Sequence, residues 1–185
     1  EKSVKVVDQV LKVDTPNGPG FYRYNHDGYG EEYDGRRWNW DGKYSGKGHL
    51  WTLLSGERGE YELARYKEYV RSINIGRMCP NGRPCPPVKP NADFYFAAKG
   101  RLDNMLRFAN DGLMIPEQVW DKKETPGHLD HQFVPDLKFG EGTGSATPLA
   151  WSMAQFIRLA LNLKAGRNLE TPDVVYDRYV LKKMH

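Results

Sequence analysis

Apolar residues recur every three or four positions in several long stretches of the chain, a spacing that predicts amphipathic helices. The stretches lie at 49–75, 93–109, 149–163 and from 172 onward, with the sequence GERG at 56–59 as a weak point in the first. The opening segment SVKVVDQVLKV has the same spacing, although its β-branched valines also suit a strand. Strands do not alternate with helices along the chain, so an all-α fold with long connecting loops is predicted.

The helix predicted over 149–163 is apolar around most of its circumference. A helix of this kind is normally packed on several sides, and four or five helices cannot cover it well. We therefore expect the chain to form part of a larger helical assembly. Trp151, inside this helix, is expected in the core.

Composition and charge exclude several classes of protein. The 185 residues are 39% hydrophobic and 28% charged, which is typical of a folded domain. Lys and Arg number 27 against 24 Asp and Glu, without a run of five like charges, so a nucleic-acid partner is not expected. No apolar stretch reaches the ~20 residues that span a bilayer. Because the chain begins at Glu1 without a signal-peptide pattern, we expect a trimmed or cleaved product.

A polar, aromatic stretch at 21–48 lacks helical periodicity and predicts a long ordered loop. Within it, RYNHDGYGE at 23–31 combines a guanidinium, two phenols, an imidazole and two carboxylates. Sugars are bound by such mixtures of paired hydrogen-bonding groups and flat aromatic faces, although an ordinary Asp-Gly-rich turn is the alternative. Trp51 and Trp120, beside the polar loops, are candidate platforms for a sugar ring.

Glu117 is the carboxylate best placed for chemistry. It lies in the sequence MIPEQVWD, where apolar residues precede it and Pro116 stiffens the backbone. A carboxylate on a short, stiff loop between apolar and aromatic neighbours can hold a water molecule in one orientation, as a general base must. The alternative is an ordinary helix-capping or surface glutamate.

The two cysteines, Cys79 and Cys85, lie six positions apart in CPNGRPC. They are too few for a tetrahedral zinc site, and no nearby pair of histidines completes one. Their spacing leaves a disulfide and two free thiols equally open. A disulfide would indicate an oxidising compartment.

Four blocks of the chain resemble glycoside hydrolase family 15, in its bacterial glucoamylase and glucodextranase branch. They are YRYNHDGYGE (22–31), LWTLLSGERGEYELA (50–64), MIPEQVWD (114–121) and GTGSATPLAWSMAQFIRLA (142–160). The resemblance implies an (α/α)6 barrel of two concentric helix rings with an active-site pocket at one end. Residues 1–185 would then be the C-terminal portion of a single catalytic domain, without a separate second domain, completed by a missing N-terminal portion.

The resemblance also implies a reaction: inverting hydrolysis of terminal α-glucosidic bonds from the non-reducing end, releasing glucose. The general base of the family, the glutamate of its PEQ motif, falls on Glu117. The arginine of its RY motif, which contacts bound glucose, falls on Arg23. The other implied substrate-binding residues are Tyr24, Asp27, Trp51 and Trp120.

The family's general acid has no match in the chain, because its Trp-Glu-Glu type motif is absent. An inverting glycosidase needs both carboxyl groups. We therefore expect the chain to be the C-terminal fragment of a cleaved enzyme that works with an N-terminal fragment supplying the acid. The alternatives are a dextran-forming transglucosylase of the same family and a non-catalytic sugar-binding subunit; a trehalase-like enzyme fits the blocks less well.

The choice between α-1,4 and α-1,6 linkages cannot be read from these blocks. No cofactor is expected; a structural calcium ion would be compatible with the family, but no ligand set in the sequence places one. A polysaccharide hydrolase with a Cys79–Cys85 bridge would be periplasmic or secreted.

Overall fold

The computed structural model describes residues 2–38, 48–74, 92–123 and 134–180. Helices form about half of these residues, and two short antiparallel strand pairs lie between them in the chain. The elements in chain order are α1 (Lys2–Val10), β1 (Lys12–Thr15), β2 (Gly18–Phe21), β3 (Leu50–Trp51), α2 (Thr52–Asn74), α3 (Asp93–Arg107), β4 (Gln118–Val119), α4 (Ala150–Ala165), α5 (Asp173–Val175) and a π-helical turn (Tyr176–Val180).

The helical periodicity predicted α2, α3 and α4 correctly, with bounds that differ by a few residues. The C-terminal end of α4 follows from Gly166, which adopts φ 65°, a left-handed conformation that glycine enters without steric cost. The N–H of Arg167 then reaches back to the carbonyl of Asn162 at 3.1 Å. The opening segment is helical, as its spacing indicates, but it continues directly into a strand.

The strands were not expected. β1 and β2 form a hairpin in which Lys12 pairs with Phe21 and Thr15 with Gly18. The turn lies inside the predicted TPNGPG segment, and the Thr15 hydroxyl donates to the Gly18 carbonyl at 2.7 Å. Gly18 has φ 116°, which favours glycine.

Helix α2 lies between α3 and α4 and makes the main core with them. Its Leu63 packs with Ala98, Leu159 and Leu163. The GERG sequence does not interrupt this helix. It is a point of close approach, since a Cβ on Gly59 would lie 2.6 Å from the Leu159 side chain. Any side chain at Gly59 would force the Leu159 side chain to move, because α4 crosses α2 closely there.

The outer side of α4 is uncovered in the described part of the chain. Trp151 is 59% exposed, and Ile157 and Leu161 are more than half exposed. The expectation that Trp151 lies in the core is therefore wrong for this segment, because α2 and α3 pack against one side of α4 only. The exposed apolar stripe agrees with the expectation of a larger helical assembly.

Candidate active site

The backbone around Glu117 is held by the β3–β4 pair and by a loop that follows it. Leu50 pairs with Val119 across these strands, and a small core of Leu50, Val119 and Phe108 lies beneath them. The carbonyl of Pro116, the preceding residue, accepts the Thr52 hydroxyl at 2.5 Å. Glu117 itself donates its N–H to the Ala146 carbonyl at 2.9 Å. The backbone of Glu117 is therefore held by a hydrogen bond to the preceding residue and by one from its own N–H.

A bidentate ion pair lies near Glu117. Arg23 donates from Nε and Nη2 to the two carboxylate oxygens of Asp27, at 2.6 and 2.7 Å. The Asp27 side chain is 2% exposed and that of Arg23 is 31% exposed. The guanidinium lies 4.4 Å from the centre of the Trp51 ring. This pairing fixes the guanidinium plane and leaves part of it accessible.

Tyr29 connects the ion pair with Glu117. Its ring lies 5.8 Å from that of Trp51 and 5.1 Å from the Arg23 guanidinium. Its hydroxyl faces Glu117 Oε2 at 3.5 Å, longer than the roughly 2.5–3.0 Å of an ordinary O–H···O hydrogen bond, so this contact is a weak one. Tyr29 belongs to the RYNHDGYGE segment but was not singled out from the sequence. The sequence feature that could have identified Tyr29 is its position two residues after Asp27, whose carboxylate accepts the Tyr29 N–H.

A cavity of about 390 Å³ opens beside Glu117. Its wall includes Tyr29, Glu31, Arg37, Trp38 and Ser145. A larger cavity of about 610 Å³ around Arg107 and Lys138 does not include Glu117. We place the candidate site in the smaller cavity, because that is where the carboxylates and aromatic rings converge.

Burial is the main influence on the acidity of Glu117 and raises its pKa above the ordinary value of 4.5. The Ala146 hydrogen bond, the Tyr29 hydroxyl and the positive charge of Arg23 lower the pKa, and the negative charge of Glu31 raises it. The balance remains an increase. A general base with a raised pKa gives better proton-transfer driving force near neutral pH.

Replacing Tyr29 by Phe is expected to raise the pKa of Glu117 further, because the hydroxyl stabilises the ionised carboxylate. A general base must be ionised to accept a proton. If Glu117 has that role, the acidic limb of the kcat/KM profile should move to higher pH in the enzyme that contains this segment. The matched control is Tyr179→Phe, at a tyrosine that is 70% exposed. An unchanged profile for Tyr29→Phe would contradict the assigned hydrogen bond.

The remaining predicted residues differ in their surroundings. Tyr24 is 53% exposed and does not line the cavity, and the Arg23 guanidinium lies 5.4 Å from its ring centre. Trp51 is 5% exposed, because Arg23 and Tyr29 cover its ring. Trp120 was expected to line the pocket, but its side chain is completely buried against the His49 ring, 4.7 Å away. It offers no surface to a ligand in the described segment.

Cys79 and Cys85 lie outside the described residues, so their pairing stays a prediction. Within the described ranges, no group of three or more His, Cys, Asp or Glu side chains is arranged to hold a metal ion. None of the described helices combines the length and apolar character needed to cross a membrane.

Two comparisons bear on these blocks. The chain is 36% identical over 180 residues to a glucoamylase from Clostridium sp. (strain G0005), and the match covers 97% of this chain. The crystal structure of a bacterial glucoamylase complexed with acarbose matches 96% of the chain at 36% identity, with a TM-score of 0.66. The resemblance to glucoamylases of glycoside hydrolase family 15 is confirmed. No protein-family model matches the chain.

The structural match also confirms the fold class: the glucoamylase-like segment is mainly helical and forms part of an (α/α)6 barrel. The chain spans 19% of the length of the curated glucoamylase and 19% of the crystallised chain. The described helices are thus one portion of the architecture that the match represents.

Proposed function

We propose that this segment supplies the general-base side of the active site of an exo-acting, inverting α-glucoside hydrolase. The enzyme would release glucose from the non-reducing ends of α-glucans. The observation that carries the proposal is the position of Glu117 in the wall of a cavity, bonded to Tyr29 beside the Arg23–Asp27 pair. The similarity to glucoamylases supports this reaction class.

In the proposed reaction, ionised Glu117 takes a proton from water while the water oxygen attacks the anomeric carbon. The bond from that carbon to the leaving glycosidic oxygen breaks, and an acid on another part of the enzyme protonates the oxygen. The two carboxyl groups of an inverting glycosidase are ~6.5–9.5 Å apart, which leaves room for the water. Inversion follows because the water attacks the face opposite the leaving group.

Arg23 is the proposed contact to the glucose hydroxyls. Asp27 was expected to share this role, but both of its oxygens are occupied by Arg23 and its side chain is buried. We assign Asp27 to orienting the guanidinium. Tyr24, next to Arg23 in the chain, can offer its exposed ring to the apolar side of a sugar.

The general acid is proposed to come from an N-terminal portion that completes the barrel, either in the same polypeptide or as a separate fragment. The exposed stripe of Trp151, Ile157 and Leu161 on α4 supports such packing, since monomeric surfaces rarely expose contiguous apolar patches of this kind.

Replacing Trp151 and Leu161 together by Ser should weaken association of this chain with a separately produced N-terminal portion at least tenfold. Each large apolar side chain contributes about 1.5–3 kcal/mol when it becomes buried, and 1.4 kcal/mol is a factor of ten. Native mass spectrometry of mixed samples measures the bound fraction. The control is Leu169→Ser, which removes an exposed leucine outside α4. Equal binding by the double variant and the parent chain would contradict the proposed interface.

The function is tested by incubating the full-length enzyme with maltose, isomaltose and dextran and following the anomeric form of released glucose by NMR. Initial release of β-glucose supports inverting hydrolysis, and the preferred substrate identifies the linkage. Growth of oligosaccharides with added acceptor would instead indicate a transglucosylase. Binding without turnover would indicate a non-catalytic sugar-binding subunit.

A periplasmic or secreted location is proposed because polymeric glucans do not cross membranes, and cell fractionation tests it.

A further inference from the structure

Glu31 is a second buried carboxylate in the wall of the Glu117 cavity, and the proposed reaction leaves it without a role. It is 5% exposed. One oxygen, Oε1, accepts the N–H of Gly144 at 2.7 Å. The other oxygen, Oε2, has no hydrogen-bond partner among the described residues and lies 3.6 Å from His49 Nε2. Burying a carboxylate oxygen without a hydrogen-bond partner costs folding free energy. Buried ionisable groups of this kind cluster at functional sites, which points to a role for Glu31 in the cavity.

The loop that Glu31 binds is the one that faces the base. Thr143 donates its N–H to the carbonyl of Gln118, and Ala146 accepts the N–H of Glu117. Gly144 lies between these two contacts, and a Cβ there would be 2.9 Å from Glu31 Oε1. Glu31 therefore anchors the middle of the segment whose two ends bond to the backbones of Glu117 and Gln118.

The backbone of Glu31 is in turn held by a buried histidine, His49. His49 is completely buried, with Nδ1 2.7 Å from Asp121 Oδ1 and Nε2 3.2 Å from the Glu31 carbonyl. Burial alone would raise the pKa of Asp121, but hydrogen bonds from His49, Lys122 and Tyr22 lower it to about 2. The ionised Asp121 thus fixes the His49 ring, and the ring fixes the backbone of Glu31.

We propose that Glu31 is a positioning residue for Glu117, acting by anchoring the 143–146 loop and by placing a second negative charge in the cavity. This inference rests on the proposed function of Glu117 as general base. Among the described residues, the charged and titratable groups that act on Glu117 or share its cavity are Tyr29, Arg23, Glu31 and, at the cavity wall, Arg37. Glu31 is the one among these four that opposes ionisation of Glu117 by its negative charge.

Two variants separate the two effects. Glu31→Gln keeps an oxygen that can accept the Gly144 N–H but removes the charge. Glu117 should then ionise more easily, and the acidic limb of the kcat/KM profile should move to lower pH, opposite to the shift expected for Tyr29→Phe. Glu31→Ala removes both effects. Its kcat should fall roughly ten- to a hundredfold with KM little changed, since small displacements of catalytic groups have costs of that order.

The measurements use the full-length enzyme with maltose over a range of pH, and circular dichroism and thermal unfolding report whether each variant folds. The charge control is Glu57→Gln on the exposed side of α2, which should leave the profile unchanged. A Glu31→Gln profile identical to the parent profile would overturn the proposal, even if Glu31→Ala does not fold. A loss of roughly 10⁴-fold or more in folded Glu31→Gln would also overturn it, because that size indicates direct proton transfer. If the parent enzyme itself hydrolyses no α-glucoside, the proposed function fails instead.

Discussion

Replacing Glu117 by Gln should lower kcat on maltose by roughly 10²- to 10⁴-fold in the full-length enzyme, the range typical of losing a general base. Glutamine has nearly the same shape and still accepts the Tyr29 hydroxyl, but it cannot take a proton from water. The backbone hydrogen bonds to Ala146 and through Pro116 do not involve the carboxylate, so the fold should be retained. Steady-state kinetics with circular dichroism measures both properties.

The matched control is Glu141→Gln, since the Glu141 side chain is 53% exposed on a nearby loop. It is the same Glu-to-Gln change and removes one negative charge outside the proposed site. It should leave kcat within about twofold of the parent value, as expected of surface substitutions. If Glu117→Gln kept most of the parent turnover, Glu117 would not be the base, and the non-catalytic binding alternative would gain support.

Replacing Arg23 by Ala should destabilise the fold by about 3–5 kcal/mol, because it leaves the buried carboxylate of Asp27 without its partner. The same change should lower kcat/KM, since the proposed contact to glucose is lost. The losses for Arg23→Lys should lie between those of the parent enzyme and of Arg23→Ala, because lysine keeps the charge but cannot form the two parallel hydrogen bonds. Urea unfolding and initial-rate kinetics on maltose give the two quantities.

The chain provides a control for this pair. Arg36 and Asp34 also form an Arg–Asp ion pair, in which Arg36 Nε lies 2.9 Å from Asp34 Oδ2, but both side chains are about half exposed. Exposed pairs contribute about 0–1 kcal/mol, so Arg36→Ala should have little effect on unfolding. Equal losses for Arg23→Ala and Arg36→Ala would show that burial of Asp27 does not determine the cost.

Two features with a strong local sequence signal were predictable: the three long helices and the candidate site residues. Helices α2 to α4 follow from apolar periodicity, because a helix that buries one face must repeat its apolar residues every three or four positions. The roles implied for Glu117 and Arg23 came from residue types in recognisable blocks. The structure places Glu117 in the wall of the cavity, and Tyr29 connects it with Arg23, which is not among the residues that line the cavity.

The tryptophans show what periodicity and motif position could not decide. Trp151 lies in an apolar helix yet is exposed, and Trp120 lies beside the base yet is completely buried. Both positions depend on which neighbouring segment covers the side chain. Such coverage comes from residues far away in sequence, so no local pattern records it.

By itself, the sequence determined where most helices form, which carboxylate is predicted to act as a base and which family the blocks resemble. These depend on local spacing and on the chemistry of residue types. Only the tertiary structure decided that Tyr29 meets Glu117 across 88 positions and that Glu31 shares their cavity. The reason is that loop residues are aimed by backbone turns, such as Gly30 at φ 121°, and by long-range pairing with β4 and the 143–146 loop.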